Sequence, residues 1–361
     1  MKKLPEGNAI VYCEGAFNTP NGKTAHGLIR FTKRYKVLCV IDSKYSGKDS
    51  GLVLDGKENR IPVLSSLKEA KKYSKKSRKK ATYFVVGLAP DGGRLSKEAK
   101  QDVEKALKYG LNVDSGLHDF LTEDKRLIKL AKKHKVKIRD IRKPPSRNKL
   151  HFFSGNIEKV KSLKVALLGT DSAVGKRTTA WILVNALNSK GYKTELIGTG
   201  QTAWLQGAKY SLVLDSLIND FVSGEIEHAV YTAWKESKPD VIVIEGQGSL
   251  MNPAYPGGFE ILAAGRPDVV VLQHAPARKN YDGFPGYPLH PLPKQLEVVK
   301  MLSGKPIVAI TINHEDLNKS EIPTVAEMIE KELGIPAYDV LLNGGDALAE
   351  TVLKYKPVGN N

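Results

Sequence analysis

Only two cysteines, Cys13 and Cys39, occur among the 361 residues, and both sit in strand-like apolar segments. So few thiols build neither a disulfide framework nor a cysteine metal site, and two buried, reduced side chains are expected. No apolar run approaches the ~20 residues that would cross a bilayer, so no membrane partner is expected. The charged start Met1–Glu6 leads into no apolar region; it is not expected to be a secretory signal, and a cytoplasmic location follows. The GxGxxG fingerprint of dinucleotide sites is also missing.

Basic residues are plentiful by contrast, and their placement matters. The net charge is +17, yet residues 1–160 carry 37 Lys+Arg against 17 Asp+Glu, whereas residues 161–361 carry 19 against 22. The excess is concentrated in Lys68–Lys80 and Lys125–Lys149. Runs of this kind read as solvated helix faces, and no specific nucleic-acid partner is expected.

The charge break coincides with Arg142-Lys143-Pro144-Pro145-Ser146-Arg147-Asn148-Lys149, which paired prolines keep from being helical. Two domains are expected, at 1–143 and 162–361, with 144–161 as a linker. In the first, strands at Ala9–Cys13, Val37–Ile41, Tyr83–Val86 and Val136–Ile138 alternate with helices at Leu67–Lys80, Ser96–Tyr109 and Glu123–His134. In the second, strands are predicted at Val165–Leu168, Thr194–Ile197, Val241–Ile244, Val269–Leu272 and Ile307–Ile312. Such alternation means α/β domains with parallel sheets and crossover helices.

The most informative stretch is Gly169-Thr170-Asp171-Ser172-Ala173-Val174-Gly175-Lys176-Arg177-Thr178-Thr179. It joins the apolar strand Val165–Leu168 to a helix over Ala180–Leu187. A glycine-bounded loop between strand and helix cradles phosphates: backbone N–H groups point inward, the helix dipole helps, and Lys176 supplies a charge. The loop is one residue longer than GxxxxGK[ST]. A hydroxyl normally follows the lysine and ligates Mg²⁺; here Arg177 stands there, and Thr178 and Thr179 come one and two residues late. The loop therefore promises a diphosphate-bearing ligand more firmly than Mg-dependent hydrolysis, and no metal-binding residue is assigned.

Strand Val241–Ile244 ends in Glu245-Gly246-Gln247-Gly248-Ser249-Leu250. Ligands of open α/β sheets bind at carboxyl ends of strands, so Glu245 is expected beside the phosphate loop, as a metal-water ligand, a general base or a turn cap. Gly198–Thr202 and Asp215–Phe221 could reach the same crevice. Asp215 and Asp220 are five apart and would not share a helix face, so at most one is expected there. Asp42, ending Val37–Ile41, stands about where an acid holds a ribose, though without the glycine fingerprint. Pro253–Gly258 and Asp282–Pro288 read as rigid loops that close over a ligand.

The phosphate loop and Glu245-Gly246-Gln247-Gly248 resemble those of dethiobiotin synthetase. Over nearly the whole chain, Tyr12–Gly15, Lys23–Gly27, Ser115–Asp119, the phosphate loop, Asp220–Glu227 and Glu245–Leu250 resemble a family long without assigned function that includes D-glutamate N-acetyltransferase. The resemblance implies two three-layer α/β/α domains with mostly parallel sheets, Rossmann-like at the N-terminus and P-loop NTPase-like at the C-terminus. It implies an enzyme moving an acetyl group from acetyl-CoA to the amine of a small acidic amino acid such as D-glutamate. An ammonium must first lose a proton, and Glu245, Asp220 and His274 are the candidate bases. Gln247, Arg266 and Arg278 are candidate substrate ligands, arginine for its bidentate fit to carboxylates. The competing readings are a kinase or ligase using ATP with Mg²⁺ on a small carboxylate, and a nucleotide-sensing regulator. A small-molecule substrate and a homo-oligomer are expected.

Overall fold

Continuous apolar runs such as Val165–Leu168 and Val241–Ile244 are what strands buried on both faces require, and they form the centre of one of two parallel sheets. The computed structural model describes residues 4–357, so residues 1–3 of the charged start lie outside them. The chain divides into two compact units, one of Met1–Pro144 with Gln201–Ala208, the other of Pro145–Gly200 with Lys209–Asn361.

In the first unit, β1 (Gly7–Tyr12), β2 (Tyr35–Ile41), β3 (Val63–Leu64), β4 (Tyr83–Val86), β5 (Asn112–Ser115) and β6 (Ile138–Asp140) form one parallel sheet in the order β3-β2-β1-β4-β5-β6. This is the Rossmann order, with its switch point between β1 and β4. Side chains alternate between faces. Ile10, Tyr12, Ile41, Phe84 and Val86 pack with Ala70, Val103, Leu107 and Leu127, from helices whose solvent sides carry the lysines. Ala9, Val11, Val40 and Val85 pack on the other face with Leu28 and Ile29 of α1 (Lys23–Arg30) and with Leu205. Cys13 and Cys39 are buried thiols.

In the second unit the order is β13-β12-β11-β7-β10-β8-β9, all parallel. The strands are β7 (Leu163–Gly169), β8 (Thr194–Gly198), β9 (Tyr210–Ser211), β10 (Val241–Glu245), β11 (Val269–His274), β12 (Ile307–Ile312) and β13 (Ala337–Tyr338). Ala166, Leu168, Ile242, Ile244, Val270 and Leu272 face Ile226 of α8 (Asn219–Ser237) and Ile261 of α9 (Phe259–Gly265). The helix after the loop, α6 (Lys176–Ser189), packs against β7, β8 and β10, burying Leu183 and Leu187. The two-residue strands β3, β9 and β13 are too short for a hydrophobic period and were not legible in the sequence.

Two expected boundaries need correction. Residues 145–161 are not a free linker but part of the second unit. Glu227 of α8 accepts from the N–H of Ser154 (2.6 Å) and of Ile157 (3.1 Å), and Ile157 is 1% exposed. Burial alone would raise the Glu227 carboxyl, but these N–H groups overcome it and hold it below the usual range. Gly224 is required beneath this segment, because a Cβ there would lie 2.0 Å from the His151 carbonyl oxygen. Conversely, α7 (Gln201–Gln206) belongs to the first unit. Gln206 Nε2 donates to the carbonyls of Gly27 (2.8 Å) and Phe31 (2.9 Å), and the Arg34 guanidinium stacks 3.7 Å over the Trp204 ring.

Candidate active site at the phosphate loop

With every strand parallel, the carboxyl ends of β7, β10 and β11 lie on one edge, which gathers Gly169, Glu245 and His274 from three distant stretches. The loop leaves β7 with the Thr170 N–H donating to the Gln273 carbonyl at 2.9 Å. Ala173 (φ +53°) and Gly175 (φ +105°) are left-handed. Left-handed residues set between right-handed ones turn successive N–H groups into one concavity, the geometry that takes an anion. For Ala173 that conformation is unusual and stores strain of order 1–3 kcal/mol. Val174 is fully buried and anchors the loop on the sheet.

Lys176 opens α6, and its Nζ donates to the carbonyls of Asp171 (2.6 Å) and Gly248 (2.7 Å). Gly248 is left-handed (φ +50°), and a Cβ there would lie 2.0 Å from the Tyr255 carbonyl oxygen. Lysine and glycine turn thus meet only because position 248 has no side chain.

Asp171, one of the expected phosphate-loop residues, has its carboxylate tied within the protein as the knot of the loop. Oδ1 accepts from Ser172 N–H and Asn252 Nδ2, both at 2.7 Å; Oδ2 accepts from Arg278 Nη1 (2.8 Å) and Asp282 N–H (2.7 Å). Both loops expected to close over a ligand are tied here, through Asn252 and Asp282, and their aromatic rings Tyr255 and Phe284 meet at 6.3 Å. Ser172 Oγ donates to the Asp282 carboxylate at 3.1 Å. Arg278, expected to bind a substrate carboxylate, is committed within the protein. Nη1 also donates to the Ser172 carbonyl, while Nε (2.7 Å) and Nη2 (2.9 Å) grip the Glu315 carboxylate.

Glu245 is 3% exposed at the end of β10. Burial raises its carboxyl above the ordinary value, opposed by the nearby charges of Arg177 and Lys176 and by the Thr199 N–H, which donates to Oε2 at 2.9 Å. Thr199 Oγ1 donates to the Glu245 carbonyl (2.9 Å) and accepts from Gln247 Nε2 (3.0 Å), so Gln247 does lie at this edge. His274 Nδ1 is 3.0 Å from Thr170 Oγ1. Burial, then the Arg278 charge, push its imidazole down to about 4, so it is neutral at pH 7.

The residues that follow Lys176 differ from a Mg²⁺-binding phosphate loop. Arg177 follows the lysine, and the Thr179 hydroxyl is turned into the core, donating to Gln273 Oε1, which also accepts from Thr311 Oγ1 at 2.7 Å. Thr178 is half-buried on the first turn of α6. Arg177 thus holds the place after the lysine from which a hydroxyl would reach Mg²⁺, and the Thr179 hydroxyl is committed to Gln273.

The P-loop domain of a family described as a domain of unknown function, DUF1611, matches residues 151–349, and the Rossmann-like domain of the same family matches 43–144. The chain belongs to the DUF1611 family. It is 31% identical over 274 residues to a D-glutamate N-acetyltransferase of Pseudoalteromonas sp, covering 74% of this chain and 80% of the relative. It is 30% identical over 278 residues to a D-glutamate N-acetyltransferase of Tritonibacter scottomollicae, covering 75% and 81%. A crystal structure of a DUF1611 family protein from Anabaena variabilis superposes with a TM-score of 0.88 at 26% identity, over 97% of this chain and 100% of that one.

Two candidate residues of this DUF1611 chain lie away from the phosphate loop. Arg266 flanks β11 at its amino end, the sheet edge opposite the phosphate loop, and pairs there with Glu158 at 2.8 Å. Asp220 is exposed on the first turn of α8, and no hydrogen bond or ion pair joins it to the phosphate loop among the described residues; Asp215 lies in the turn before that helix. Asp42, which the missing glycine fingerprint already disfavoured as a ribose ligand, is fully buried and accepts from the N–H of Phe17 (2.8 Å) and Lys44 (2.9 Å). The sequence reading in turn missed Gln273, Asn252 and Glu315. A polar Gln273 closing the apolar run Val269–Leu272 was a usable signal, and Asn252 before Pro253 marks a turn. Glu315 carried none.

Proposed function

We propose that this DUF1611 protein is an N-acetyltransferase that moves the acetyl group of acetyl-CoA to the amine of a small acidic amino acid, with D-glutamate the leading acceptor. The observation that carries the reading is the pairing of Lys176 with Arg177 on a phosphate loop whose next hydroxyl is turned into the core. Two consecutive cations at the head of α6, next to an N–H cradle, suit a CoA diphosphate held without Mg²⁺. The 31% identity to a D-glutamate N-acetyltransferase supports the same chemistry.

Glu245 is the base this arrangement favours over Asp220 and His274. It is buried at the loop edge, its proton affinity is raised toward that of a working base, and Thr199 fixes its carboxylate. It takes the proton of the acceptor's ammonium, leaving the lone pair free to attack. His274, already neutral and bonded to Thr170, orients the loop instead.

The test is incubation of the protein with acetyl-CoA and a panel of D- and L-amino acids, following N-acetyl product masses and thiol release. Acetylation of acidic acceptors, lost at least 100-fold in kcat in Glu245→Gln, is the expected result. No acetylated product from any amino acid would overturn the reading.

A further inference from the structure

Beside the loop, the polar Gln247, Ser249 and Gln295 share with Leu168, Leu272 and Val299 the lining of a cavity of about 10 Å³, the room of one oxygen atom or water. Ser249 is 2% exposed, and its hydroxyl meets no hydrogen-bond partner among the described residues. A buried hydroxyl without a partner forfeits roughly 1–3 kcal/mol, so such groups are rare unless something else supplies the partner.

The fold does not need this hydroxyl. The backbone of Ser249 holds the turn by itself, its N–H donating to the Tyr255 carbonyl (3.2 Å) and its carbonyl accepting from the Gly257 N–H (3.1 Å). Ser249 also sits on the turn that carries Glu245 and Gln247, and its neighbour Gly248 accepts from Lys176. A buried donor with no structural work, on a residue that lines an oxygen-sized space at the phosphate-loop edge, is what an oxyanion site requires.

We infer that Ser249 Oγ donates to the thioester carbonyl oxygen of the acyl donor as that oxygen gains charge, making Ser249 a catalytic residue; this rests on the acetyltransferase reading above. The balance is simple. The acceptor nitrogen's lone pair forms a bond to the carbonyl carbon, and the C=O π pair moves onto oxygen, where the Ser249 O–H meets it. When that pair returns, the C–S bond breaks and its electrons leave on sulfur. The sulfur ends as a thiol with the proton given up by the attacking nitrogen, and the product is an amide.

Steady-state kinetics of Ser249→Ala and Ser249→Cys with acetyl-CoA and the acceptor test it, alongside CoA calorimetry and thermal melting. Loss of one oxyanion donor costs about 10²- to 10³-fold in kcat. The expected result is that loss in Ser249→Ala, a smaller one in Ser249→Cys because a thiol is a weak donor, with CoA affinity and acceptor KM unchanged and a Ser249→Ala melting temperature at or above that of the wild type, because the variant sheds an unpartnered buried hydroxyl. A Ser249→Ala kcat within twofold of an active wild type would overturn the inference and leave the acetyltransferase reading standing. So would a kcat loss matched by an equal loss of CoA affinity, which would mark a positioning role. An inactive wild type would overturn both, and is read before any variant is made.

Discussion

Arg278 Nη1 and Asp171 Oδ2 form a 2.8 Å ion pair, with the Asp171 side chain wholly buried and that of Arg278 11% exposed. It joins the phosphate loop to the segment after β11, and the other Asp171 contacts join both to the Asn252 turn. The loop is therefore tied by side chains from two distant segments.

Breaking that pair leaves a charge buried without its partner, which costs about 3–5 kcal/mol. Arg278→Ala is expected to lower the urea midpoint accordingly and to weaken CoA binding by loosening the loop. Arg278→Lys is expected to recover little, because one ammonium cannot serve Asp171, Ser172 and Glu315 in a fork. A midpoint equal to the wild type would contradict this.

Lys176 Nζ donates to the backbone carbonyls of Asp171 and Gly248, and a phosphate is a stronger partner for an ammonium than a carbonyl. Charge-assisted bonds contribute about 1.5–3 kcal/mol, so Lys176→Ala is expected to bind CoA roughly 10- to 100-fold more weakly by calorimetry, with its far-UV spectrum unchanged. Undiminished affinity would remove the phosphate-loop assignment.

Much of this was legible because parallel strands buried on both faces write long apolar runs, and the residue ending each run is then on the ligand edge. Glu245 and His274 were found that way. The same rule, applied to direction, places Arg266 on the far edge, since it precedes β11 rather than following it. The partners of Asp171 were not legible. Asn252, Arg278 and Asp282 lie 81 to 111 residues away along the chain, and no local pattern records which long-range groups a carboxylate will meet. The placement of α7 in the first unit was hidden likewise, because it depends on Arg34, Gly27 and Phe31.

Acid sensitivity is a third expectation. His274 has a folded value of about 4 against 6.5, so between these pH values the unfolded chain binds more protons and stability falls as pH drops from about 6.5 toward about 4. The full window is worth on the order of 3 kcal/mol. Glu245, whose folded value is raised, works the other way above its ordinary 4.5, so the informative quantity is a difference. Urea titrations at pH 4.5 to 7 are expected to show a shallower acid loss in His274→Asn than in the wild type. Parallel curves would show that His274 does not titrate as its burial requires.

Arg177 is expected to serve the bound phosphates where other loops use a hydroxyl and Mg²⁺. Arg177→Thr should weaken CoA binding roughly tenfold, the worth of one charge-assisted contact, without creating ATPase activity. Phosphate release from Mg²⁺-ATP by the variant would show that the rest of the site is built around a metal.

The central claim, acyl transfer on a phosphate loop without metal or ATP, meets its most direct test in one assay. Purified protein is mixed with acetyl-CoA and D-glutamate in excess EDTA with no nucleotide, and N-acetylglutamate is followed by mass. Turnover undiminished by the chelator is the expected result. Turnover that appears only with ATP and Mg²⁺, and disappears with EDTA, would contradict the account and assign the loop to phosphoryl chemistry.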